Sequence, residues 1–297
     1  VKIKQLIGQD NIRHDLSIHL KSARINFSPL EHTMLFGPAG LGKSTLAESI
    51  AEEIGSSIIQ KTGQEVKVDI LYEVFEKLRI MDIFFIDEIH ATSNKALEIL
   101  YGPMQIINNM KLDNQEMIPF KFQDVVISPF TVIGATTEAG QIAKPMRDRM
   151  ILAYDLHLYE VSELASILIA KNCPTDPAYF IAMRSRGTPR IALNYFQRIR
   201  NEAIHAYEIH VGTCARVFDR LGIDSQGYNI NDRKIMLHLT TKEAMSESEI
   251  SRSLSISAND FKHIHEPFLL NKRAIKINSK GRSLTDTGKK YIMEYIK

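Results

Sequence analysis

Short apolar runs alternate with helix-like stretches through the first half of the chain. Residues 34–36 are apolar and run into a glycine loop. Leu46, Ala47, Ile50, Ala51 and Ile54 then recur on one helical face, and Gly55 supplies a stop. Residues 57–60 read as a short strand, and Asp69 opens a helix with Leu71, Val74, Phe75 and Leu78 on one face. Residues 83–86 are an unbroken apolar run and residues 130–135 a second run interrupted by Thr131, the pattern of strands buried on both faces. Such alternation predicts an α/β domain with a parallel sheet between helices.

Past about Leu158 the strand pattern stops. Helices are predicted over residues 162–171, 176–186, 189–207 and 211–221, with Thr188 able to cap the third and Pro189 at its first position. Residues 222–231 read as a linker. The remainder reads as three helices and a hairpin. Ser246 to Glu249 form a capping box ahead of Ile250 and Leu254, and Phe261, Ile264, His265 and Phe268 share the next helical face. Residues 274–277 then give a strand, and Lys280-Gly281-Arg282 a turn. Three helices and a hairpin make a winged helix. The predicted domains are residues 1–157, 158–222 and 223–297.

Composition changes this picture little. A length of 297 residues fits two domains or three small ones, and 44% apolar with 24% charged residues excludes a wholly disordered chain, a collagen or a coiled-coil rod. No apolar stretch approaches the ~20 residues of a membrane span, and the first ten residues hold no apolar signal core. Cys173 and Cys214 form no framework and read as free thiols in a reducing cytoplasm. The net charge is only +2, but residues 261–297 carry nine lysines and arginines against three acids. That asymmetry is the footprint of phosphate-backbone binding to DNA, although a solvated basic face or a protein dock would look the same.

The sharpest motif is Gly37-Pro38-Ala39-Gly40-Leu41-Gly42-Lys43-Ser44, which matches the phosphate-loop pattern at every fixed position, with a strand before and a helix after. Glycines let the backbone curl its N–H groups toward phosphate oxygens, and the following helix adds its positive end. With Thr45, these residues are expected to line the nucleotide phosphates. Lys43 reaches the β- and γ-phosphates, and the Ser44 hydroxyl ligates Mg²⁺. Four apolar residues then place Asp87 and Glu88 at a strand end. Asp87 can hold Mg²⁺ through its water shell, and Glu88 can polarise an attacking water. A small-molecule kinase would have no need of Glu88, whereas a hydrolysing NTPase would.

In the order of these and further segments the chain resembles AAA+ ATPases, and among them the RuvB branch-migration motors. The segments are Ile7-Gly8-Gln9, the phosphate loop, Phe85-Ile86-Asp87-Glu88-Ile89-His90, Gly134-Ala135-Thr136-Thr137, Pro145-Met146-Arg147-Asp148-Arg149, the run from Arg184 to Arg190, that from His265 to Leu269, and Ser279-Lys280-Gly281-Arg282. The resemblance implies an α/β AAA+ domain, a small helical lid and a winged helix, using ATP and Mg²⁺. It implies that Ile7 helps form the adenine pocket and that Thr137 is the polar sensor near the γ-phosphate. It makes Arg149 an arginine finger entering the neighbouring subunit's site, and Arg190 a second sensor on the lid. A guanidinium, always charged and able to brace several oxygens, suits both arginine roles. Read from its own segment, Arg147-Asp148-Arg149 could equally be a solvated basic turn.

The implied partners are four-way junction or duplex DNA, further copies of the chain in a ring, expected to be a hexamer, and a RuvA-like junction-binding protein. Residues 110–122 resemble the hairpin that docks on that protein. Met110, Leu112 and Ile118, alternating with polar residues across Asp113 to Glu116, either dock there or pack on their own domain. Lys280 and Arg282 flank the expected wing-tip glycine and are expected to project onto DNA phosphates without reading sequence. Glu138 stands where the family has arginine. Two other readings stay open: a non-translocating switch such as a clamp-loader subunit, and a binding module that has lost turnover.

Overall fold

The computed structural model describes residues 2–203 and 209–296, and the chain divides into two compact units, Val1–Tyr159 and Glu160–Lys297. The first unit carries β1 (Thr33–Phe36), β2 (Ile58–Thr62), β3 (Ile83–Asp87), β4 (Phe120–Phe122), β5 (Val125–Ile127), β6 (Thr131–Thr136) and β7 (Leu152–Asp155). Five of these form a parallel sheet in the order β2-β3-β6-β1-β7, while β4 and β5 pair as a hairpin. The helices are α1 (Asp10–Ile25), α2 (Lys43–Ile54), α3 (Val68–Lys77), α4 (Asn94–Leu112) and the single turn α5 (Lys144–Arg147).

The unbroken apolar run of β3 serves both faces of the sheet. Ile83 and Phe85 pack with Leu16 of α1 and Leu46 and Ile50 of α2. Phe84 and Ile86 pack with Leu71 and Phe75 of α3 and Leu100 and Met104 of α4. All four are fully buried, and each burial contributes roughly 1.5–3 kcal/mol. The strand β7 was not among the predicted elements. Only Leu152 and Tyr154 of its four residues face inward, so this edge strand gives too short an alternation to read.

The hairpin lies elsewhere than predicted. Met110 and Leu112 belong to the end of α4, whose Leu100, Met104, Ile107 and Met110 continue one buried helical stripe. The strands are β4 and β5, and the turn is Gln123-Asp124 rather than residues 113–116. The Phe122 ring lies so close over Gly102 that a Cβ there would come within 2.2 Å of it, and the Tyr72 hydroxyl bonds Gln123. The hairpin thus packs on its own domain. Met110 is buried, whereas Leu112 and Ile118 are 80% and 52% exposed.

The second unit opens with α6 (Val161–Ile169), α7 (Thr175–Ala182), α8 (Pro189–Glu202) and α9 (Val211–Arg220). Helix α8 ends at Glu202 because Ala203 is extended, short of the predicted Tyr207, and residues 204–208 lie outside those described. Thr188 occupies the cap position without capping; its hydroxyl donates to the Arg186 carbonyl instead. Cys173 and Cys214 are free and buried, and burial pushes their thiols up to about 12 and about 11.

The winged helix follows with α10 (Ile230–His238), α11 (Glu247–Leu254), α12 (Ala258–Asp260), α13 (Glu266–Asn271), β8 (Ile275–Asn278), β9 (Gly281–Leu284) and α14 (Asp286–Ile296). The expected linker is an ordered turn in which the Asp224 carboxylate accepts the N–H groups of Gln226 and Tyr228, and Tyr228 is buried. Only half of the predicted capping box forms. The Ser246 hydroxyl accepts the Glu249 N–H, but the Glu249 carboxylate pairs with Lys242. Ile264 is 49% exposed rather than on the shared face, because a π turn over Phe261–His265 adds a residue and rotates it outward. Helix α14 was not predicted; Gly288 seats it against the Ala274 carbonyl, where a Cβ would lie at 2.1 Å. Among the described residues no helix is long and apolar enough to cross a membrane.

Candidate functional site

The phosphate loop joins β1 to α2 at the carboxyl end of the sheet. Gly37 has φ +135°, and a Cβ there would fall 2.8 Å from the Leu156 carbonyl oxygen, so only glycine lets the loop leave β1 beside the segment after β7. Gly40 and Gly42 have φ +84° and +94°, and Gly42 is the residue before α2. Leu41 is fully buried and anchors the loop from below, while Pro38 and Ala39 are exposed at its crest. The Lys43 ammonium folds into the loop and donates to the carbonyls of Gly37 (2.8 Å) and Pro38 (3.1 Å). The loop thus curls around a cation, the arrangement that anionic oxygens would seek. Ser44 is half-buried and Thr45 exposed in the first turn of α2.

The acidic pair ends β3, which β6 separates from β1. Glu88 takes a left-handed backbone (φ +49°), and the Asp87 carboxylate accepts its N–H at 3.0 Å. This sharp turn separates the two carboxylates. Glu88 reaches across to the end of β6, where its Oε2 accepts both the N–H and the hydroxyl of Thr137, each at 3.2 Å. The predicted base and the predicted sensor are therefore in contact. Beside Glu88 lies His90, a residue with no role among the sequence expectations. Its Nδ1 is 2.8 Å from the Thr136 hydroxyl and 3.3 Å from Glu88 Oε2, and its Nε2 is 3.8 Å from Glu138. The sequence marks His90 only as the last residue of the segment Phe85 to His90 that carries the family resemblance.

The oxygen donors of Ser44 and Asp87 suit a hard divalent cation that keeps most of its water and takes the rest of its ligands from phosphate. Among the described residues no group of three His, Cys, Asp or Glu side chains could hold a metal unaided.

Ile7 is half-buried in a loop fixed at two points. The Gln9 amide donates to the His157 carbonyl (2.6 Å) and accepts its N–H (3.2 Å), and Arg13 Nε donates to the Gly8 carbonyl (2.8 Å). Since Leu156 abuts Gly37, this holds the segment around Ile7 on the phosphate-loop side of the sheet. The two arginines at the end of α5 and just beyond it separate clearly. Arg147 donates to the carbonyls of Ile142 and Ala139 and braces its own turn. Arg149 is half-exposed, with its guanidinium 4.9 Å from the Tyr101 ring centre and donating to the carbonyls of Tyr101 (3.2 Å) and Pro145 (2.8 Å). In the other unit, Arg190 is exposed in the first turn of α8.

The wing departs from expectation at one residue. Gly281 (φ +126°) makes the turn, and its missing Cβ, which would lie 2.3 Å from the Met245 carbonyl, lets Met245 and Arg282 bridge through two backbone hydrogen bonds. Lys280 projects, its side chain 71% exposed. Arg282 does not. Its Nε bonds Glu266 at 2.5 Å and its Nη2 lies 3.3 Å from both Glu266 and Glu247. These carboxylates hold the guanidinium more firmly charged than usual and tie the wing to α11 and α13.

Comparison with known proteins covers nearly the whole chain. Residues 1–156 match the family model of the Holliday junction DNA helicase RuvB P-loop domain, residues 155–224 the RuvB AAA lid domain, and residues 225–293 the RuvB C-terminal winged helix domain. The RuvB subunit of the Holliday junction branch migration complex from Campylobacter fetus is 35% identical over 300 residues, covering 95% of this chain and 85% of that one. The same subunit from Levilactobacillus brevis is 33% identical over 98% of this chain and 89% of its own. Thermotoga maritima RuvB, solved as a Holliday junction branch migration motor, superposes with a TM-score of 0.82 at 30% identity, covering 97% of this chain and 95% of that one.

Proposed function

Because the chain belongs to the RuvB family of Holliday junction DNA helicases, we propose that it is an ATP-driven motor that moves four-way junction DNA as one subunit of a hexameric ring. The observation that carries this reading is the placement of Lys43, Asp87, Glu88 and Thr137 at the carboxyl ends of three adjacent strands, with Glu88 on Thr137, in a chain that continues into a basic winged helix. The winged helix also disfavours a clamp-loader subunit, and the intact Lys43, Asp87 and Glu88 disfavour a module without turnover.

In this reading Lys43 leaves the carbonyls of Gly37 and Pro38 for the β- and γ-phosphates, while loop N–H groups and the start of α2 hold the remaining oxygens. Ser44 and Asp87 would hold Mg²⁺, which when bound would neutralise charge on those phosphates. Glu88 exchanges its bond to Thr137 for the attacking water and takes its proton, and Thr137 turns to the γ-phosphate. Arg149 leaves its own Tyr101 for the phosphate bound by the next subunit, so an isolated subunit lacks one catalytic charge. Arg190 senses the nucleotide from the lid. The exposed Leu112 and Ile118 are the apolar contacts offered to a RuvA-like protein, and the buried Met110 is not. The test is ATPase rate per subunit across protein concentrations, with and without four-way junction DNA. The rate should rise with both; a rate indifferent to both would rule the motor out.

DNA is held by charge alone through the projecting Lys280 and the lysines around it. Lys280→Ala should weaken binding to every duplex sequence alike and flatten the log–log salt dependence by about 0.9. Arg282→Ala should instead lower the melting temperature, since it strands Glu266, which is 7% exposed, without its partner. Duplex affinity measured from low to moderate salt, beside thermal melting, separates the two roles. An unchanged slope in Lys280→Ala would mean that the wing tip faces away from DNA.

A further inference from the structure

Within the second unit a charged network with almost no solvent contact joins the lid to the winged helix. Asp232, near the start of α10, is fully buried. Its Oδ2 accepts from Arg186 Nη2 at 2.5 Å and from the Asn229 N–H at 2.8 Å, and its Oδ1 lies 2.6 Å from His265 Nδ1. The side chains of Arg186 and His265 are themselves only 7% and 5% exposed. Arg186 sits in the loop between α7 and α8, four residues before Arg190, and its guanidinium covers the Phe268 ring at 4.3 Å. Asp232 belongs to the winged helix, as do His265 and Phe268.

The intervening turn is pinned as well. Asp224 bonds the Tyr291 hydroxyl of α14 and Arg233 of α10, and Arg233 also donates to the Gly222 carbonyl at 2.8 Å. Tyr228 packs against Tyr291 and Phe268 with ring centres 4.5 and 5.4 Å away. Gly227 (φ +89°) lies so close to the Arg184 carbonyl that a Cβ would meet it at 3.2 Å. Beyond His265 the chain of charge continues, since Glu266 grips Arg282 of the wing.

Apolar surfaces can slide over one another at little cost. A buried carboxylate shared by a guanidinium and an imidazole cannot, because any displacement leaves a desolvated charge without its partner. Such a contact fixes one orientation of two bodies. We infer that the Arg186–Asp232–His265 network is a rigid coupling that makes the winged helix follow the lid, so that these three residues position the DNA-holding wing rather than act on ATP. This rests on the motor reading above. Nucleotide-dependent tilting of the lid through Arg190 then reaches Lys280 without loss in an intervening hinge.

The test uses the double variant Arg186→Met/Asp232→Asn, which removes both charges and strands neither, with Arg186→Lys as the conservative control. Each is made in the full chain, with spin labels at Lys171→Cys in the lid and Lys290→Cys in α14. The wild type should give one narrow label distance with ADP and with a non-hydrolysable ATP analogue. The double variant should give a broadened one, and Arg186→Lys should restore most of the narrowing. In a branch-migration assay the double variant should keep junction affinity and ATPase rate within about twofold of wild type, while junction DNA moved per ATP falls at least tenfold. A narrow distance in a folded double variant, or wild-type movement per ATP, would overturn the coupling. Should the double variant fail to fold, Arg186→Gln, whose amide can still donate to the Asp232 carboxylate, is read in the same way. If the labels behave as expected but the wild type hydrolyses ATP without moving junction DNA, the coupling stands and the motor reading falls.

Discussion

Glu88→Gln should bind ATP as tightly as the wild type and hydrolyse it on the order of a hundred- to ten-thousandfold more slowly, the usual loss when a general base is removed. Lys43→Ala should fail earlier, at binding. The geometry separates the two. Lys43 lies inside the loop, on the carbonyls of Gly37 and Pro38, where phosphate must enter. Glu88 lies across the strand ends, on Thr137, and supports no part of the loop. A glutamine is the same size and can keep a hydrogen bond to the Thr137 hydroxyl, but it cannot take a proton from water. Nucleotide titration followed by single-turnover hydrolysis checks both variants. Equal loss of ATP affinity in the two would mean that their roles have been wrongly divided.

Arg149→Ala should have the second large effect, a loss of about a thousandfold or more in turnover with ATP affinity preserved, the scale of an arginine finger supplied from a neighbour. Its contacts within the chain are modest: two carbonyls and the face of Tyr101, at half exposure. Removing it should therefore leave the domain folded. Mixing Arg149→Ala with Lys43→Ala subunits provides the decisive measurement. A Lys43→Ala subunit still presents its own Arg149 to an intact site next door, so mixed rings should recover part of the activity that neither variant has alone. No recovery in rings shown to be mixed would count against a finger acting between subunits. Arg147, tied to Ile142 and Ala139, should show no such complementation.

What the sequence made legible follows from how each part is held. Strands β1, β3 and β6 could be read because a central parallel strand, buried on both faces, is apolar at most positions. The phosphate loop could be read because its glycines meet a local backbone demand. Edge strand β7 offers only Leu152 and Tyr154 to the core, and the end of α4 mimics a strand through Met110 and Leu112, so both were misread. The π turn that sends Ile264 outward obeys no period that a regular helix would reveal. Side-chain pairing was the least visible. Arg282 looks like a projecting charge until Glu266 and Glu247, distant in sequence, are brought beside it, and His90 acquires its neighbours only when β3 and β6 align.

The two cysteines show what burial does to chemistry over time. Protonated at neutral pH and shut away from solvent, the thiols of Cys173 and Cys214 cannot meet an alkylating reagent or an oxidant while the second unit stays closed. Their modification is gated by opening of the surrounding helices, so its rate is a clock for breathing of that unit rather than a measure of thiol reactivity. Labels placed on the surface can therefore be attached quickly, with the native thiols left in place as silent reporters of the moment the helices part.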